Sequence, residues 1–274
     1  MKVIESGKAL RETLSKLPHP YVLVPTMGAL HAGHISLMNR AREIAGEHGT
    51  VVVSIFVNPI QFDRAADLEK YPKPLETDLK ACESARVDVV FTPETGSMYF
   101  PDRSITVTEN LLSRGLCGAV RPGHFDGVCT VVLKLLMLSG CDTAIFGEKD
   151  FQQLAIIRRM VRDLDLPVEI VPGPTIREPD GLAMSSRNVR LSPTQRADAP
   201  RIYQALTAAA KLKSPDKILA SARAAIESSP LARIDYLSLV DAETLQTVSE
   251  IVRPTILATA IFYGDVRLID HVRL

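Results

Sequence analysis

Residues 24–34, VPTMGALHAGH, join the end of a short apolar run to the beginning of an amphipathic stretch. The run at residues 21–25 has the length of a strand and almost no polar alternation, which is typical of strands buried on both faces of a parallel sheet. Beyond it, apolar residues recur at spacings of three and four, which predicts a helix: Ile35, Met38, Ala41, Ile44 and Ala45. The stretch therefore predicts a strand, a glycine-containing loop and a helix.

The same alternation continues along the first 170 or so residues. Four further apolar runs of strand length occupy residues 50–57, 87–92, 143–147 and 168–172. Helical spacing lies between them, at Leu75, Leu79 and Cys82 and again at Leu154, Ile157, Val161 and Leu164. Strand and helix in alternation predict right-handed βαβ units, and hence an α/β fold with a doubly wound, Rossmann-like parallel sheet. Such sheets bind ligands beyond the carboxyl ends of their strands.

The last third of the chain has a different composition. An alanine-rich, helix-prone stretch at residues 192–229 precedes two β-rich segments, residues 233–241 and 255–270. Proline, aspartate, glycine, serine and asparagine cluster at residues 178–192, as they do in connecting segments. We expect a Rossmann-like domain at residues 1–184 and a small α+β domain at residues 185–274, which would close over the first domain as a lid.

Charge and cysteine usage exclude several classes of function. The chain has 274 residues, and its 32 Lys and Arg balance its 32 Asp and Glu, so no basic domain is available for nucleic acid or for an anionic membrane. Its apolar runs are far shorter than the roughly 20 residues that span a bilayer. The charged N-terminus lacks the pattern of a signal peptide, and the four cysteines form no CxxC pair. We expect a cytoplasmic protein that binds anions at a local site.

The two histidines of HAGH suggest what that anion is. His31 and His34 are three residues apart at the start of the predicted helix, near unpaired backbone N–H groups and the positive end of the helix dipole. Phosphate is the expected ligand there, and Gly33 lets a nucleotide approach the backbone. A metal-binding pair or two purely capping histidines are the alternatives, although metal ligands on a helix more often lie four residues apart.

Two later clusters carry groups that suit a polyphosphate. Gly147-Glu148-Lys149-Asp150 follows the predicted strand at residues 143–147, where a lysine can neutralise phosphate; a solvated charge run is the alternative. Residues 181–188, GLAMSSRN, supply two hydroxyls and an arginine, which suit a mobile phosphate clamp; the alternative is a polar linker. Together with HAGH, these clusters are typical of enzymes in which an acid attacks the α-phosphate of ATP.

The ordered blocks of this chain resemble the pantoate:β-alanine ligase family. They are VPTMGALHAGH, VVVSIFVNPIQFD, YPKPLETDL, RPGHFDGV, FGEKDFQQLAIIRRMV and DGLAMSSRN, with YGDVRLIDH near the C-terminus. The resemblance implies a fold of the nucleotidylyltransferase type and three ATP-binding segments with catalytic residues His34, His31, Lys149, Ser185, Ser186 and Arg187. The ATP-binding residues would be Met27, Gly28, Ala29, Leu30, His31, Ala32, Gly33, His34, Gly147, Glu148, Lys149, Asp150, Ile176, Met184, Ser185, Ser186 and Arg187.

The resemblance also implies residues for the other substrates. Gln61 and Gln153 would hold pantoate, with Gln61 also near incoming β-alanine, and the same cleft would be lined by Met27, Asn58, Tyr71 and Arg121. A protein ligand for Mg²⁺ would rest on Asp78 alone, because Thr77 replaces an acidic residue; water and ATP are the alternative ligands. Cys117 and Val120 replace an acidic residue and a serine that are expected before RPGHF.

The implied reaction is an ATP-dependent condensation of pantoate with β-alanine through a pantoyl adenylate, which releases AMP and pyrophosphate. The alternatives are a nucleotidylyltransferase that stops at an adenylated product and a nucleotide-binding regulator that has lost turnover. The resemblance further implies a homodimer formed through the first domain. The alternating segment at residues 103–112 predicts an edge strand that could form the dimer contact, with Leu111 and Leu112 covered by it, or could fold over its own domain.

Overall fold

Short apolar strands form the parallel sheet that residues 24–34 predict. The computed structural model describes residues 1–63 and 65–274. There, the sheet comprises β1 (Lys2–Ile4), β2 (Tyr21–Thr26), β3 (Thr50–Ile55), β4 (Val89–Phe91), β5 (Thr143–Gly147) and β6 (Glu169–Gly173). All five predicted strands are confirmed, with ends that differ by at most two residues. β1 is additional: it is a three-residue edge strand, largely exposed, so it has too little apolar pattern to be predicted.

The strand order places β2 at the topological switch point of the sheet. The order is β1-β4-β3-β2-β5-β6, and the neighbouring strands pair in parallel. From β2 the chain adds β3 and β4 on one side, whereas β5 and β6 lie on the other. Loops that leave the carboxyl ends of β2 and β5 therefore border the crevice in which doubly wound sheets bind ligands.

Helices alternate with the strands along the chain. Their bounds are α1 (Gly7–Leu14), α2 (Ala32–Ala45), α3 (Ala65–Glu69), α4 (Leu75–Ser84), α5 (Thr95–Met98), α6 (Leu116–Val120), α7 (His124–Ser139), α8 (Phe151–Asp163), α9 (Pro193–Asp198), α10 (Arg201–Ala209) and α11 (Pro215–Glu227). The three helices expected from apolar spacing are α2, α4 and α8. Helix α7 is buried on most of its surface, so its sequence is apolar all round and shows no single stripe.

The described residues divide into two compact units that interleave along the chain. The first contains residues 1–109, 121–148 and 156–174, and the second contains residues 110–120, 149–155 and 175–274. A core in the first unit joins α2 to the central strands through Val22, Val24, Met38, Ala41, Val51 and Val53. The boundary between residues 184 and 185 and the lid movement stay predictions.

The second unit is built on an antiparallel sheet, and its strands come from the two β-rich segments that the sequence predicts. Its strands are β7 (Ala232–Asp241), β8 (Thr255–Tyr263) and β9 (Val266–Arg273), in that order. Gly264 makes the turn between β8 and β9 with a φ of 62°, a conformation that favours glycine. Side chains of α10 and α11 pack with this sheet in one core that includes Ile202, Leu206, Ile218, Leu257 and Ile261.

The expected edge strand at residues 103–112 is wrong. Residues 103–110 have no regular secondary structure, so their alternation reflects an irregular segment. Leu112 is buried within the chain, whereas Leu111 is 57% exposed, so of the two leucines only Leu111 is left for a dimer contact to cover. No helix within residues 1–63 and 65–274 is both long and apolar enough to cross a membrane.

Candidate active site

The loop after β2 turns the chain sharply before α2 begins. Gly28 and Ala29 have φ angles of 78° and 50°, both in the left-handed region. Alanine there costs about 1–2 kcal/mol, because its Cβ crowds the carbonyl oxygen. The Gly28 N–H donates to Thr26 Oγ1 at 3.2 Å, and Thr26 Oγ1 donates to the Ser54 carbonyl at 2.8 Å, which ties the loop to β3. The tight turn brings His31 to the N-cap position of α2.

Both histidines of HAGH cap α2 through the same ring nitrogen. The Gly33 N–H donates to His31 Nδ1 at 3.2 Å, and the His31 N–H donates to His34 Nδ1 at 3.3 Å. The two ring centroids are 4.1 Å apart. Because each Nδ1 accepts a hydrogen bond, each neutral imidazole carries its proton on Nε2. The capping alternative is therefore present in the structure, but it also fixes each ring as an Nε2–H donor.

Asp78 holds the strained part of this loop from α4. Its side chain is almost fully buried, with an exposed fraction of 1%. Oδ2 accepts from the Ala29 N–H at 2.9 Å and Oδ1 accepts from the Leu30 N–H at 2.8 Å. Among residues 1–63 and 65–274, no cluster of three or more His, Cys, Asp and Glu side chains could hold a metal ion. Both carboxylate oxygens of Asp78 are bonded to the backbone of the loop.

A chain of side-chain hydrogen bonds orients Gln61 in the first unit. The Tyr99 hydroxyl donates to Asn58 Oδ1 at 2.7 Å, and Asn58 Nδ2 donates to Gln61 Oε1 at 2.9 Å. Burial raises the pKa of Tyr99, so its hydroxyl stays protonated and remains the donor. With Oε1 occupied, Gln61 presents its NH₂ group, which lies 3.1 Å from Met27 Sδ. Sulfur is a weak acceptor that a substrate oxygen can displace.

The backbone of the Gln61 turn is held from the start of α7. His124 Nδ1 lies 2.8 Å from the Gln61 carbonyl, and Arg121 reaches the same carbonyl at 3.3 Å while pairing with Asp63 at 3.0 Å. Because a carbonyl only accepts, His124 donates from Nδ1. A Cβ on Gly127 would lie 2.5 Å from the Ile60 carbonyl oxygen, so only glycine allows this close approach. Tyr71 packs edge-on against Phe62, beside the turn, with centroids 5.8 Å apart.

Lys149 and Gln153 belong to the second unit. Lys149 lies in the 3₁₀ turn Glu148–Asp150 that follows β5, as its sequence position predicts. Burial lowers the pKa of Lys149 below its ordinary value of 10.5, and the Arg187 charge acts in the same direction. An anion beside this lysine would stabilise its charged form. Gln153 is half-buried in α8, whereas its neighbour Gln152 is buried and bonds the backbone of residues 112, 115 and 117.

The loop with the sequence GLAMSSRN is anchored to β9. Arg177 forms a bidentate pair with Asp270 at 2.6 and 2.8 Å, and its guanidinium lies 3.5 Å from the centroid of the Tyr203 ring. The Met184 N–H donates to the Ile176 carbonyl at 2.9 Å, which closes the loop on itself. The Arg187 N–H donates to Ser185 Oγ at 3.2 Å, so the Ser185 hydroxyl proton is available to another acceptor.

The structure groups the predicted residues within each unit. Met27, His31, Asn58 and Gln61 lie on loops and turns that follow β2 and β3 in the first unit, and His34 lies in the first turn of α2. Ile176, Met184, Ser185, Ser186 and Arg187 share one loop of the second unit. Sequence reasoning missed Tyr99, Arg177 and Asp270, which support predicted residues. Tyr99 is 41 positions from Asn58, and Arg177 is 93 positions from Asp270, so only the folded chain brings these pairs together.

Comparison with known proteins gives full-length matches. The model of the family described as pantoate-beta-alanine ligase matches residues 2–273. A pantothenate synthetase of Akkermansia muciniphila is 55% identical over 281 residues and covers 100% of both chains. The crystal structure of pantothenate synthetase from Thermus thermophilus is similar with a TM-score of 0.93 and 44% identity, over 99% of each chain.

A second solved structure was determined with ligands bound. It is the pantoate-beta-alanine ligase of Francisella tularensis in complex with beta-gamma ATP and beta-alanine. This chain is similar to it with a TM-score of 0.83 and 33% sequence identity, over 99% of this chain and 97% of that one.

Proposed function

The chain belongs to the pantoate-beta-alanine ligase family, and we propose that it joins pantoate to β-alanine through a pantoyl adenylate. In the first step, a pantoate carboxylate oxygen attacks the α-phosphorus of ATP and the bond to pyrophosphate breaks. In the second step, the β-alanine nitrogen attacks the activated carbonyl carbon, AMP leaves with the former carboxylate oxygen, and the nitrogen loses a proton. The products are pantothenate, AMP and pyrophosphate.

We propose that His34, with His31 beside it, stabilises the charge that builds up on the phosphate in the first step. The observation that carries this proposal is the Nδ1 capping of α2 by both rings, because it gives each neutral ring an Nε2–H donor. A donor that is already oriented needs no reorganisation when charge develops in the transition state. The amino end of α2 adds the positive end of its dipole.

We propose that the second unit supplies the remaining phosphate contacts. Lys149, Ser185, Ser186 and Arg187 would surround the triphosphate, and Ile176 would contact the adenine or ribose. The lowered pKa of half-buried Lys149 supports this role, since a partly desolvated ammonium favours an anionic partner. The anchored GLAMSSRN loop, with the Ser185 hydroxyl proton available as a donor, supports it as well.

Gln61 and Gln153 are the residues that we propose for pantoate. A neutral carboxamide can donate to and accept from hydroxyls and a carboxylate without burying an unpaired charge. Gln61 supports the proposal most directly, because Asn58 and Tyr99 fix which end of its amide is presented. Asn58, Tyr71 and Arg121 would line the same subsite.

The metal, the compartment and the lid complete the proposal. We propose that Mg²⁺ arrives bound to the triphosphate as part of the substrate, as phosphoryl chemistry commonly requires.

A cytoplasmic location is supported by four buried, free cysteines: Cys82, Cys117, Cys129 and Cys141. Closure of residues 185–274 would shield the mixed anhydride from water until β-alanine arrives.

The purified protein should release AMP from ATP only when pantoate is present, and should form pantothenate only when β-alanine is added as well. In His34→Ala, single-turnover formation of pantoyl adenylate should slow by roughly a hundredfold, the scale of losing one oriented transition-state donor. Arg40→Gln, on an exposed face of the same helix, is the matched control and should retain wild-type rates.

Near-normal adenylate formation in His34→Ala would contradict the role of this histidine. Adenylate that accumulates without reacting with β-alanine would instead indicate a nucleotidylyltransferase. Nucleotide binding with no turnover would indicate a regulator.

Tyr99→Phe should weaken pantoate selectively. The ring keeps its packing against Phe56, but Asn58 Oδ1 loses its donor and Gln61 loses its fixed orientation. One hydrogen bond of about 1 kcal/mol corresponds to a rise of roughly fivefold in the KM for pantoate, with the KM for ATP unchanged. Tyr21→Phe is the control. Tyr21 lies at the amino end of β2, away from the Gln61 turn, and its hydroxyl donates to the Leu14 carbonyl of α1. Equal changes in both KM values would argue against the Tyr99–Asn58–Gln61 chain.

We propose a homodimer as the state in solution. The predicted contact through an edge strand at residues 103–112 is not retained, because residues 103–110 form no strand. Ile105 and Leu111 of this segment are exposed, so the segment remains a candidate for the dimer contact. Sedimentation at micromolar concentration should give twice the chain mass, and a single 30.0 kDa species would refute the dimer.

A further inference from the structure

The turn before HAGH adopts a conformation that its own residues do not favour. Gly28 and Ala29 are consecutive left-handed residues, and Ala29 has no glycine-like freedom at a φ of 50°. Without an external hold, this turn would relax toward ordinary φ values. His31 follows Ala29 by two positions and His34 by five, so relaxation of the turn would move both rings.

Asp78 makes the contacts that oppose this relaxation. Its two carboxylate oxygens accept hydrogen bonds from the consecutive N–H groups of Ala29 and Leu30, at 2.9 and 2.8 Å. Bonds from backbone N–H groups to an ionised carboxylate are stronger than neutral ones. The turn also closes tightly on the carboxylate, since a Cβ on Gly28 would lie 2.8 Å from Asp78 Oδ2.

The surroundings of Asp78 are unsuited to a metal ion. The carboxylate is 1% exposed, and each of its oxygens is already bonded to the loop. Cys82 lies one turn further along α4, and a sulfur atom is a poor ligand for Mg²⁺, which prefers oxygen.

We infer that Asp78 is a positioning residue, which holds the Gly28–Ala29 turn and thereby sets the two histidines, and that it is not a Mg²⁺ ligand. The catalytic consequence of this inference rests on the proposed function. The hydrogen bonds by which Asp78 holds the turn do not depend on it. The inference explains why a carboxylate can lie next to a loop that is proposed to bind an anionic nucleotide: both of its oxygens accept hydrogen bonds from backbone N–H groups.

Asp78→Asn separates positioning from metal binding. The amide keeps one acceptor oxygen, but its NH₂ group faces an N–H donor, so one loop contact is lost. We expect kcat to fall by roughly 10- to 100-fold, since small displacements of catalytic groups have effects of this size. The free Mg²⁺ concentration for half-maximal rate should stay within about twofold of wild type. The exposed Glu76→Gln on the same helix is the control and should change neither quantity.

A second substitution tests the strain directly. Placing Ala29→Gly in the Asp78→Asn background makes the left-handed turn accessible again, so part of the lost kcat should return. A metal ligand would behave differently: Asp78→Asn would raise the Mg²⁺ requirement tenfold or more, excess Mg²⁺ would restore the rate, and Ala29→Gly would restore nothing. That pattern would overturn the inference.

Hydrogen exchange of the wild-type protein tests the anchor without turnover or substitution. The Ala29 and Leu30 amides should exchange at least about a hundredfold more slowly than in an unstructured chain, because both are hydrogen-bonded to a buried carboxylate. Exchange at the unprotected rate would refute the anchor even in a fully active enzyme. Protection without pantothenate formation would refute the proposed reaction and leave the anchor standing.

Discussion

The N–H groups at the start of α2 are the constraint on which the site depends. A helix cannot satisfy its own first N–H groups, and most helices use a serine, threonine, aspartate or asparagine to do so. Here, imidazole nitrogens take that role at His31 and His34. Because the cap consumes Nδ1 of both rings, the fold also selects their tautomer. A local requirement of secondary structure thus prepares two proton-bearing Nε2 atoms at the end of the helix that attracts anions.

The parallel sheet determines where this prepared end lies. β2 is the strand at which the order of addition reverses, so the loop into α2 leaves the sheet at the switch point. The neighbouring turn that carries Gln61 follows β3, which pairs with β2 along its length. In both loops, buried polar groups from elsewhere in the first unit fix the backbone or an amide. The second unit uses the same principle: Asp270 of β9 holds Arg177, which in turn donates to the Gly181 carbonyl at the start of GLAMSSRN.

Much of this fold could be predicted from sequence because burial leaves a periodic pattern. Strands β2 and β3 are buried and mostly apolar, and α2, α4 and α8 have apolar spacing. Patterns fail where burial is absent or complete: β1 is exposed, α7 is buried on nearly every side, and the alternating residues 103–110 form no strand. The motifs and the family resemblance predict roles for His31, His34 and Gln61, but they could not show that Tyr99 orients Gln61 or that Asp78 bonds the loop. Those contacts depend on side-chain direction and on distant parts of the chain.

The tautomer of His34 gives the most direct test, because the proposed role of this histidine depends on which ring nitrogen carries the proton. Long-range ¹H–¹⁵N NMR of histidine-labelled protein at a pH above the imidazole pKa values distinguishes a protonated from an unprotonated ring nitrogen. The account predicts an unprotonated Nδ1 and a protonated Nε2 in His34, and a change at Nε2, with the Nδ1 signal nearly constant, when ATP is added. A protonated Nδ1, or an Nδ1 signal that changes most on ATP binding, would contradict it.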